Sequence, residues 1–286
     1  MTLLVDSFAS EAYRLTRNRM AVFWSVVFVP LLFALGSVAF HLITKAKTAD
    51  IARQADLPLR MGQQPVDLGE ALMRGASLGA NGAILVFILI GAATLYAGDY
   101  RWETFRLISA RNSRMNLILG KAGVFAMLAL AAMVAFLIAS LAFSISEALV
   151  FDRPMSFEFG AADLGQFALL WLLSWLRIIQ YAMLALLTAT ITRSLMAALF
   201  VPVVVGFAQS LIGGPGMPLL GWSPQDWIAQ LVLPGLAFET IKGAIDHSTT
   251  PAAALLLKAF VSLALWTLVP LAGAIAWFGR QDLSKE

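Results

Sequence analysis

An arginine and a glutamine lie three residues apart inside the fourth long apolar stretch of the sequence, at Arg177 and Gln180. This spacing places both side chains on one face of a helix. Because a charged side chain inside a membrane span is costly, it commonly marks a substrate path or a buried polar contact. One hypothesis is that Arg177 attracts an anionic, lipid-like substrate. The alternative is a structural role, in which Arg177 hydrogen-bonds to neighbouring carbonyls or water.

The pair Gly120-Lys121 comes nearest to a phosphate-binding loop. Such a loop needs a glycine five positions before the Gly-Lys pair and a Ser or Thr directly after it. Met115 and Ala122 occupy those positions. We therefore predict that this chain does not itself hydrolyse ATP.

Few residues could support catalysis or metal binding. The absence of cysteine excludes disulfides and thiolate ligands. The two histidines, His41 and His247, are predicted at or beyond the outer ends of apolar stretches, as polar surface. An intramembrane enzyme needs a nucleophile with a base, or a metal cluster, at membrane depth. We predict no catalytic residue, no metal site and no cofactor held by this chain.

The elements that must position these residues are membrane helices. The 286 residues are 60% hydrophobic and only 13% charged, with a mean hydropathy of +0.81, too apolar for one water-facing core. Apolar blocks of about 20 residues each could cross a bilayer. The predicted fold is all-α: a polytopic membrane protein with a single domain over residues 1–286. Its six spans are predicted at residues 21–42, 78–98, 119–143, 167–191, 195–214 and 252–278.

Lysine and arginine are unevenly shared between the two sides of these spans. They are more frequent in the N-terminal segment, the loop after the second span, the connection after the fourth span and the C-terminal tail. The positive-inside rule therefore predicts that both termini are cytoplasmic. Because the basic residues flank spans, anionic lipid and topology explain them without nucleic acid. Examples are Arg14, Arg17, Arg19, Arg193 and Arg280.

Residues 1–19 are predicted to form an amphipathic helix at the membrane interface. Leu4, Phe8, Ala12 and Leu15 fall on one helical face. The alternative is an ordinary lead-in to the first span, whose arginines only set topology.

Residues 99–118 form a short loop after the second span that mixes arginine with aromatic and aliphatic residues. This composition is typical of a protein docking surface, since it combines apolar area with directional donors. The alternative is a positive-inside loop with interfacial aromatics. The residues concerned include Arg101, Trp102, Phe105, Arg106, Ile108 and Arg114.

At this loop the sequence resembles the permease subunits of type-2 ABC exporters. That family has an acidic residue after the second span, a Gly-Thr or similar pair, apolar residues, a Ser/Pro and Arg cluster, and Gly-Lys entering the third span. The C-terminal sequence from Phe278 to Leu283 resembles the family's Phe-x-Arg-x-Asp-Leu ending. Two features depart from the family: Arg111-Asn112 stands where proline is common, and the loop after the first span is long. The matching residues are Glu103-Thr104, Leu107-Ile108-Ser109, Ser113-Arg114 and Gly120-Lys121.

The resemblance implies that residues 103–110 form a coupling helix seated in a groove of a separate ATPase. It implies a permease homodimer bound to two ATPase subunits, which hold ATP and Mg, in a bacterial inner membrane. The implied activity is export of an amphiphilic or hydrophobic substrate. The coupling residues would be Glu103, Thr104, Arg106, Leu107, Arg111 and Arg114.

Residues 215–250 are too apolar for a solvated loop and too rich in Pro and Gly for a straight span. The resemblance implies a re-entrant hairpin that closes the outer end of the pathway. The alternative is a pair of interfacial helices anchored by Trp222 and Trp227.

The fifth span carries further residues that could line a substrate pathway, and the resemblance places this span with the first near a dimer interface. The candidate pathway residues are Arg177, Gln180, Phe200, Phe207 and Gln209.

Two other function classes compete with an exporter. An ion-coupled secondary carrier would normally place an acid within its spans. A non-transporting membrane assembly factor would use the same docking loop.

Overall fold

The computed structural model describes residues 2–55, 64–78, 80–101 and 112–281, and nearly all of them are helical. Two π-helical turns occur at Phe23–Val27 and Ile212–Gly216. Two short parallel strands pair, β1 (Val66–Asp67) with β2 (Met155–Ser156). The helices are α1 (Thr2–Arg17), α2 (Arg19–Val22), α3 (Phe28–Ala55), α4 (Leu68–Leu78), α5 (Gly82–Arg101), α6 (Arg114–Val150), α7 (Ala161–Thr192), α8 (Leu195–Leu211), α9 (Met217–Leu219), α10 (Trp227–Val232), α11 (Pro234–Ile245) and α12 (Ala253–Arg280).

Among the described residues, six helices are long and apolar enough to cross a membrane, which confirms the predicted polytopic all-α fold. Most of them exceed their predicted lengths, because hydropathy marks the apolar middle of a helix while caps set its ends. The third span starts after Ser113, whose hydroxyl accepts a hydrogen bond from the Asn116 N–H. The spans cover Arg19–Thr48, Gly82–Tyr100, Arg114–Val150, Ala161–Thr192, Leu195–Leu219 and Ala253–Arg280.

Spans 2, 3 and 4 form the interior of the bundle. Half or more of the residues in their apolar windows are buried, against fewer than a third in spans 1, 5 and 6. Small residues stand where the inner helices meet, and Ala92, Ala129 and Ala182 are fully buried. Close approach of backbones at small residues is the usual basis of helix packing in membranes. Spans 1 and 5 therefore have the largest faces free for lipid or a partner.

The N-terminal helix α1 packs along α6. Phe8, Ala12 and Leu15 of the predicted apolar face contact the core, so the protein itself covers much of this face, while Leu4 is exposed. The backbones approach closely at Gly120, where an added Cβ would lie 2.5 Å from the Ser7 hydroxyl. The helix ends at Arg17, one residue before Asn18 caps α2 through the Ala21 N–H.

The predicted re-entrant segment 215–250 contains α9 and the two short helices α10 and α11. Phe238 and Ile241 of α11 pack against Leu173 and Leu263 of spans 4 and 6. Trp266 of span 6 donates a hydrogen bond of 2.7 Å to the Leu231 carbonyl. These helices are thus fixed to the bundle, and re-entry into the membrane stays a prediction.

Candidate functional site

Four charged residues form a buried cluster at the end of the bundle where α5 and α6 flank residues 102–111. We call this end the loop end, and the four residues Glu11, Arg14, Asp99 and Lys121 the charge cluster. The Lys121 Nζ lies 3.1 Å from Glu11 Oε2 and pairs with Asp99. Arg14 Nη1 lies 3.1 Å from Glu11 Oε1, and Nη2 pairs with Asp99. The charge cluster joins α1 to the last residues of α5 and the first turns of α6.

The charge cluster is electrically balanced, with two carboxylates and two cations. Asp99 is 0% exposed, Lys121 1% and Glu11 2%, and Lys121 also donates a 2.9 Å hydrogen bond to the Leu95 carbonyl. Buried charges are tolerated when they are paired and hydrogen-bonded, and removal of one partner leaves the others uncompensated. Four mutually compensating ion pairs therefore connect helix α1 to the end of α5 and the start of α6.

Arg14 is the most solvent-exposed member of the charge cluster. Burial lowers the pKa of its guanidinium, but the hydrogen bond and the negative charge of Asp99 outweigh burial, so the pKa is raised above its ordinary value. Arg14 therefore stays charged at every physiological pH. Sequence reasoning gave Arg14 a role in topology only and missed the cluster, since its members come from three separate elements.

Arg114, a predicted coupling residue, caps the C-terminal end of α12. Its Nη1 donates hydrogen bonds to the carbonyls of Phe278 (3.0 Å), Gly279 (3.1 Å) and Gln281 (2.7 Å). The last carbonyls of a helix have no partner within the helix, and a cation there also interacts favourably with the negative end of the helix dipole. Arg114 thus ties the start of span 3 to the end of span 6.

A second tie at the loop end runs through Gln281. Tyr100 donates a 3.1 Å hydrogen bond to Gln281 Oε1, and Gln281 Nε2 donates to the Thr190 carbonyl. The ends of spans 2, 4 and 6 are therefore linked on the same side as the charge cluster. The other predicted coupling residues, Glu103, Thr104, Arg106, Leu107 and Arg111, lie outside the described residues, so the coupling helix stays a prediction.

A cavity of about 660 Å³ lies between spans 2, 4 and 5 and helix α11. Its volume is within the range typical of small-molecule pockets, roughly 300–1,000 Å³. Its lining is mainly apolar. Its polar side chains are Arg177, Tyr181, Gln209, Ser210 and Glu239.

Arg177 lies near the middle of α7 and is 8% exposed. Its Nη1 donates a 3.1 Å hydrogen bond to Gln180 Oε1, and its Nη2 donates one of 3.1 Å to Tyr181 Oη. The guanidinium carbon also stands 4.7 Å from the centre of the Tyr181 ring, a cation–π distance. Gln180 in turn donates a 3.0 Å hydrogen bond to the Leu263 carbonyl of span 6. The predicted pair is thus adjacent, and it is connected to another span.

The other predicted pathway residues divide between two places. Phe207 and Gln209 line the cavity. Phe200 does not: it is 52% exposed on the outer face of span 5.

Three cavity features were missed from the sequence. Tyr181 follows Gln180 directly and stands one helical turn after Arg177, so spacing alone could have identified it. Glu239 comes from α11 and had no local signal. Gly206 brings the α8 backbone against Tyr181, where an added Cβ would lie 2.7 Å from the Tyr181 hydroxyl oxygen.

His41 is not the surface residue that the sequence predicts. It is 3% exposed, and its Nδ1 lies 2.8 Å from the Ser146 hydroxyl oxygen at the other end of the bundle. Ser146 also donates to the Ser37 hydroxyl at 3.0 Å, so the group joins spans 1 and 3. Within the described part of the chain, no group of three or more His, Asp or Glu side chains is placed to hold a metal ion.

Comparison with protein families gives one match. A family model described as ABC-2 family transporter protein matches residues 7–283, which include all six spans, the charge cluster and the cavity. A search of curated proteins and a search of solved structures each found no match.

Proposed function

The chain belongs to the ABC-2 transporter family, and from this we propose that it is the membrane permease subunit of an ATP-driven exporter. The observation that carries the proposal is the family match over almost the whole chain. Gly120-Lys121 lacks the preceding glycine and the following hydroxyl residue of a phosphate-binding loop, which supports a separate ATPase subunit as the holder of ATP and Mg. The permease converts nucleotide-driven closure of that subunit into rearrangement of its spans.

The coupling segment in this proposal is residues 103–110, together with Arg111 and Arg114. Support comes from what flanks it. The charge cluster fixes α1 to both flanks, and Arg114 and Gln281 connect the same region to spans 4 and 6. A displacement of the segment by a docked ATPase is thereby passed to several spans at once, because rigid packed elements move as units.

The proposed assembly contains two permease copies and two ATPase subunits. Spans 1 and 5 support the pairing, since each exposes large apolar side chains along most of its length. Phe200 is the most prominent aromatic side chain of span 5 that is exposed outside the cavity. We assign the contact between the two copies to these faces, with lipid covering the rest.

The proposed transport pathway includes the cavity at Arg177, and the α10–α11 segment closes its outer end. In this arrangement the loop end faces the cytoplasm, and both termini are cytoplasmic, in a bacterial inner membrane. The basic loop-end residues support the orientation. The cargo is amphiphilic or hydrophobic, in keeping with the apolar cavity lining.

The proposal is tested by affinity purification of the tagged chain from its native membrane, with mass spectrometry of its partners and ATP hydrolysis of the eluate. We expect a subunit carrying a complete phosphate-binding loop, together with ATP hydrolysis. Glu103→Lys, in the coupling segment, should reduce recovery of that subunit, while Glu70→Lys on the opposite side of the bundle should not.

Two outcomes would replace the proposal. Recovery of the permease without an ATPase, with substrate flux driven by an ion gradient, would indicate a secondary carrier. Recovery of other membrane proteins, with neither hydrolysis nor flux, would indicate an assembly factor.

A further inference from the structure

We propose that the cavity at Arg177 binds an amphiphile through an oxyanion headgroup, phosphate or carboxylate, with its apolar chain lying between spans 2 and 5. This inference rests on the proposed function, since it treats the cavity as part of the transport pathway. It adds the charge and shape of the cargo.

The guanidinium of Arg177 has donors left for a ligand. Of its five N–H groups, the described residues accept from two, through Gln180 and Tyr181. Both acceptors are neutral, and among the described residues Arg177 takes part in no ion pair, although the charge of Glu239 acts on it through space. A cation this far inside a span is costly unless a counter-charge reaches it. An oxyanion supplies that charge and matches the fork geometry of arginine.

The surroundings of Arg177 restrict the position of its guanidinium. Gln180 is anchored to the Leu263 carbonyl, and Tyr181 is held against Gly206. The guanidinium also lies close to Gly235 of α11, where an added Cβ would lie 3.2 Å from Arg177 Nη2. Two hydrogen bonds and this close packing restrict the guanidinium before a ligand binds, so little side-chain entropy is lost when it binds an anion.

The apolar walls of the cavity indicate that the rest of the ligand is an apolar chain. Leu85, Val86 and Leu89 of span 2 face Val203 and Phe207 of span 5 across the same space. A chain lying there would replace lipid or water against these side chains. The cavity thus presents one cation at its deep side and aliphatic walls beside it, the complement of a single-chain anionic amphiphile.

Of the described residues that line the cavity, Glu239 alone is acidic, and its position allows an anion at Arg177. Its side chain is 64% exposed, and its Oε2 lies 3.7 Å from Lys242 Nζ on the next turn of α11. Solvent and Lys242 therefore screen its charge. Glu239 weakens binding of an anion without preventing it, which gives the site a second residue to test.

The test uses the purified chain in nanodiscs of phosphatidylcholine and a dodecyl phosphate probe that carries a photoreactive diazirine at the chain terminus. After irradiation, mass spectrometry maps the labelled peptides. We expect labels on the span 2 and span 5 peptides that line the cavity. Arg177→Gln should reduce these labels about tenfold, the effect of losing a charge-assisted hydrogen bond. Arg74→Gln removes an exposed arginine elsewhere and should leave them unchanged.

Two further variants sharpen the result. Arg177→Lys keeps the charge and should retain part of the labelling. Glu239→Gln should increase labelling a few-fold, since it removes a like charge from the cavity. A decrease with Glu239→Gln would overturn the proposal, because it would mean that the Glu239 carboxylate helps to hold the probe instead of repelling its headgroup.

The preference for an anionic headgroup can be tested on the wild-type protein without variants. Dodecyltrimethylammonium bearing the same diazirine should label the cavity at least several-fold less, and equal labelling would overturn the proposal. Inorganic phosphate should compete poorly, and competition equal to that of dodecyl phosphate would show a free-anion site instead. The assay needs neither ATP nor an ATPase. Its failure would therefore leave the permease assignment standing, and loss of ATPase recovery would not affect the labelling.

Discussion

The side-chain nitrogen of Lys121 lies 3.1 Å from the Glu11 carboxylate, and this contact joins the N-terminal helix to the start of span 3. Lys121 belongs to the Gly-Lys pair of the family resemblance, yet its ammonium faces the bundle. Asp99 is buried beside Lys121 and pairs with both Lys121 and Arg14. The lysine is therefore a structural clamp next to the proposed coupling segment.

The clamp predicts a large effect of neutralising Lys121. We expect Lys121→Met to lower the free energy of unfolding by about 3–5 kcal/mol, because it leaves the buried carboxylates of Glu11 and Asp99 short of one cation. The measurement is denaturant unfolding of the purified chain in mixed micelles. Lys45→Met breaks an exposed pair with Asp152 and should cost about 0–1 kcal/mol. Equal losses in the two variants would contradict the clamp.

A double variant distinguishes the loss of the Glu11–Lys121 ion pair from a general loss of packing. If Glu11 and Lys121 act as a pair, the combined loss in Glu11→Gln/Lys121→Met should be smaller than the sum of the two single losses. The same unfolding titration measures all three variants. Strict additivity would show that the two side chains act independently.

Arg114 should control the end of span 6. In Arg114→Met the carbonyls of Phe278, Gly279 and Gln281 lose their common donor, so we expect a destabilisation of about 1–3 kcal/mol. Amide exchange of the last turn of α12 should accelerate. Arg19→Met, at an exposed position at the start of span 1, serves as the control and should leave this exchange unchanged. An unaltered last turn in Arg114→Met would mean that the cap does not stabilise it.

The close approach at Gly206 predicts a steric effect on the cavity. In Gly206→Ala the new methyl would lie 2.7 Å from the Tyr181 hydroxyl, so Tyr181 must move and its hydrogen bond to Arg177 must lengthen or break. Overpacking of this kind typically costs about 1–3 kcal/mol. Gly36→Ala meets nothing within 4 Å and should be neutral or stabilising. Thermal unfolding compares the two, and equal behaviour would show that Tyr181 yields without cost.

The hydrogen bonds of Asp67, which lies outside the spans, predict that local stability around it depends on pH. Its carboxylate accepts hydrogen bonds from the backbone N–H groups of Glu158 (3.0 Å) and Gly69 (2.8 Å). The bond from Glu158 is the main cause that lowers the Asp67 pKa below its ordinary value of 3.8. A lowered folded-state pKa means that this stabilisation is complete above the ordinary value and is lost as pH falls through the folded value.

The local contact between β1 and β2 should therefore weaken only in acid. We expect the Gly69 and Glu158 amides to stay protected at about pH 5 and to lose protection, after correction for intrinsic exchange, near or below about pH 3. Asp67→Asn should reduce the pH dependence. Protection that is the same at both pH values in the wild type would show that the carboxylate is not the group responsible.

Local spacing and hydropathy predicted a substantial part of the molecule. The six spans were identified because each carries about 20 apolar residues, and their number is confirmed. The adjacency of Arg177 and Gln180 followed from their separation along one helix, a local relationship that packing cannot change. The family resemblance, based on ordered short motifs, is confirmed by the match over residues 7–283.

The sequence alone was enough to predict the six spans, the N-terminal helix and contacts within one helix, because these depend on side chains a few positions apart. The charge cluster, the Arg114 cap on α12 and the cavity shared by Arg177 and Glu239 were decided only by tertiary structure. Each joins residues from separate elements, and their partners depend on how the helices cross and rotate. That choice is made by packing at small residues such as Gly120 and Gly206, whose effect appears only when another backbone or side chain lies against them.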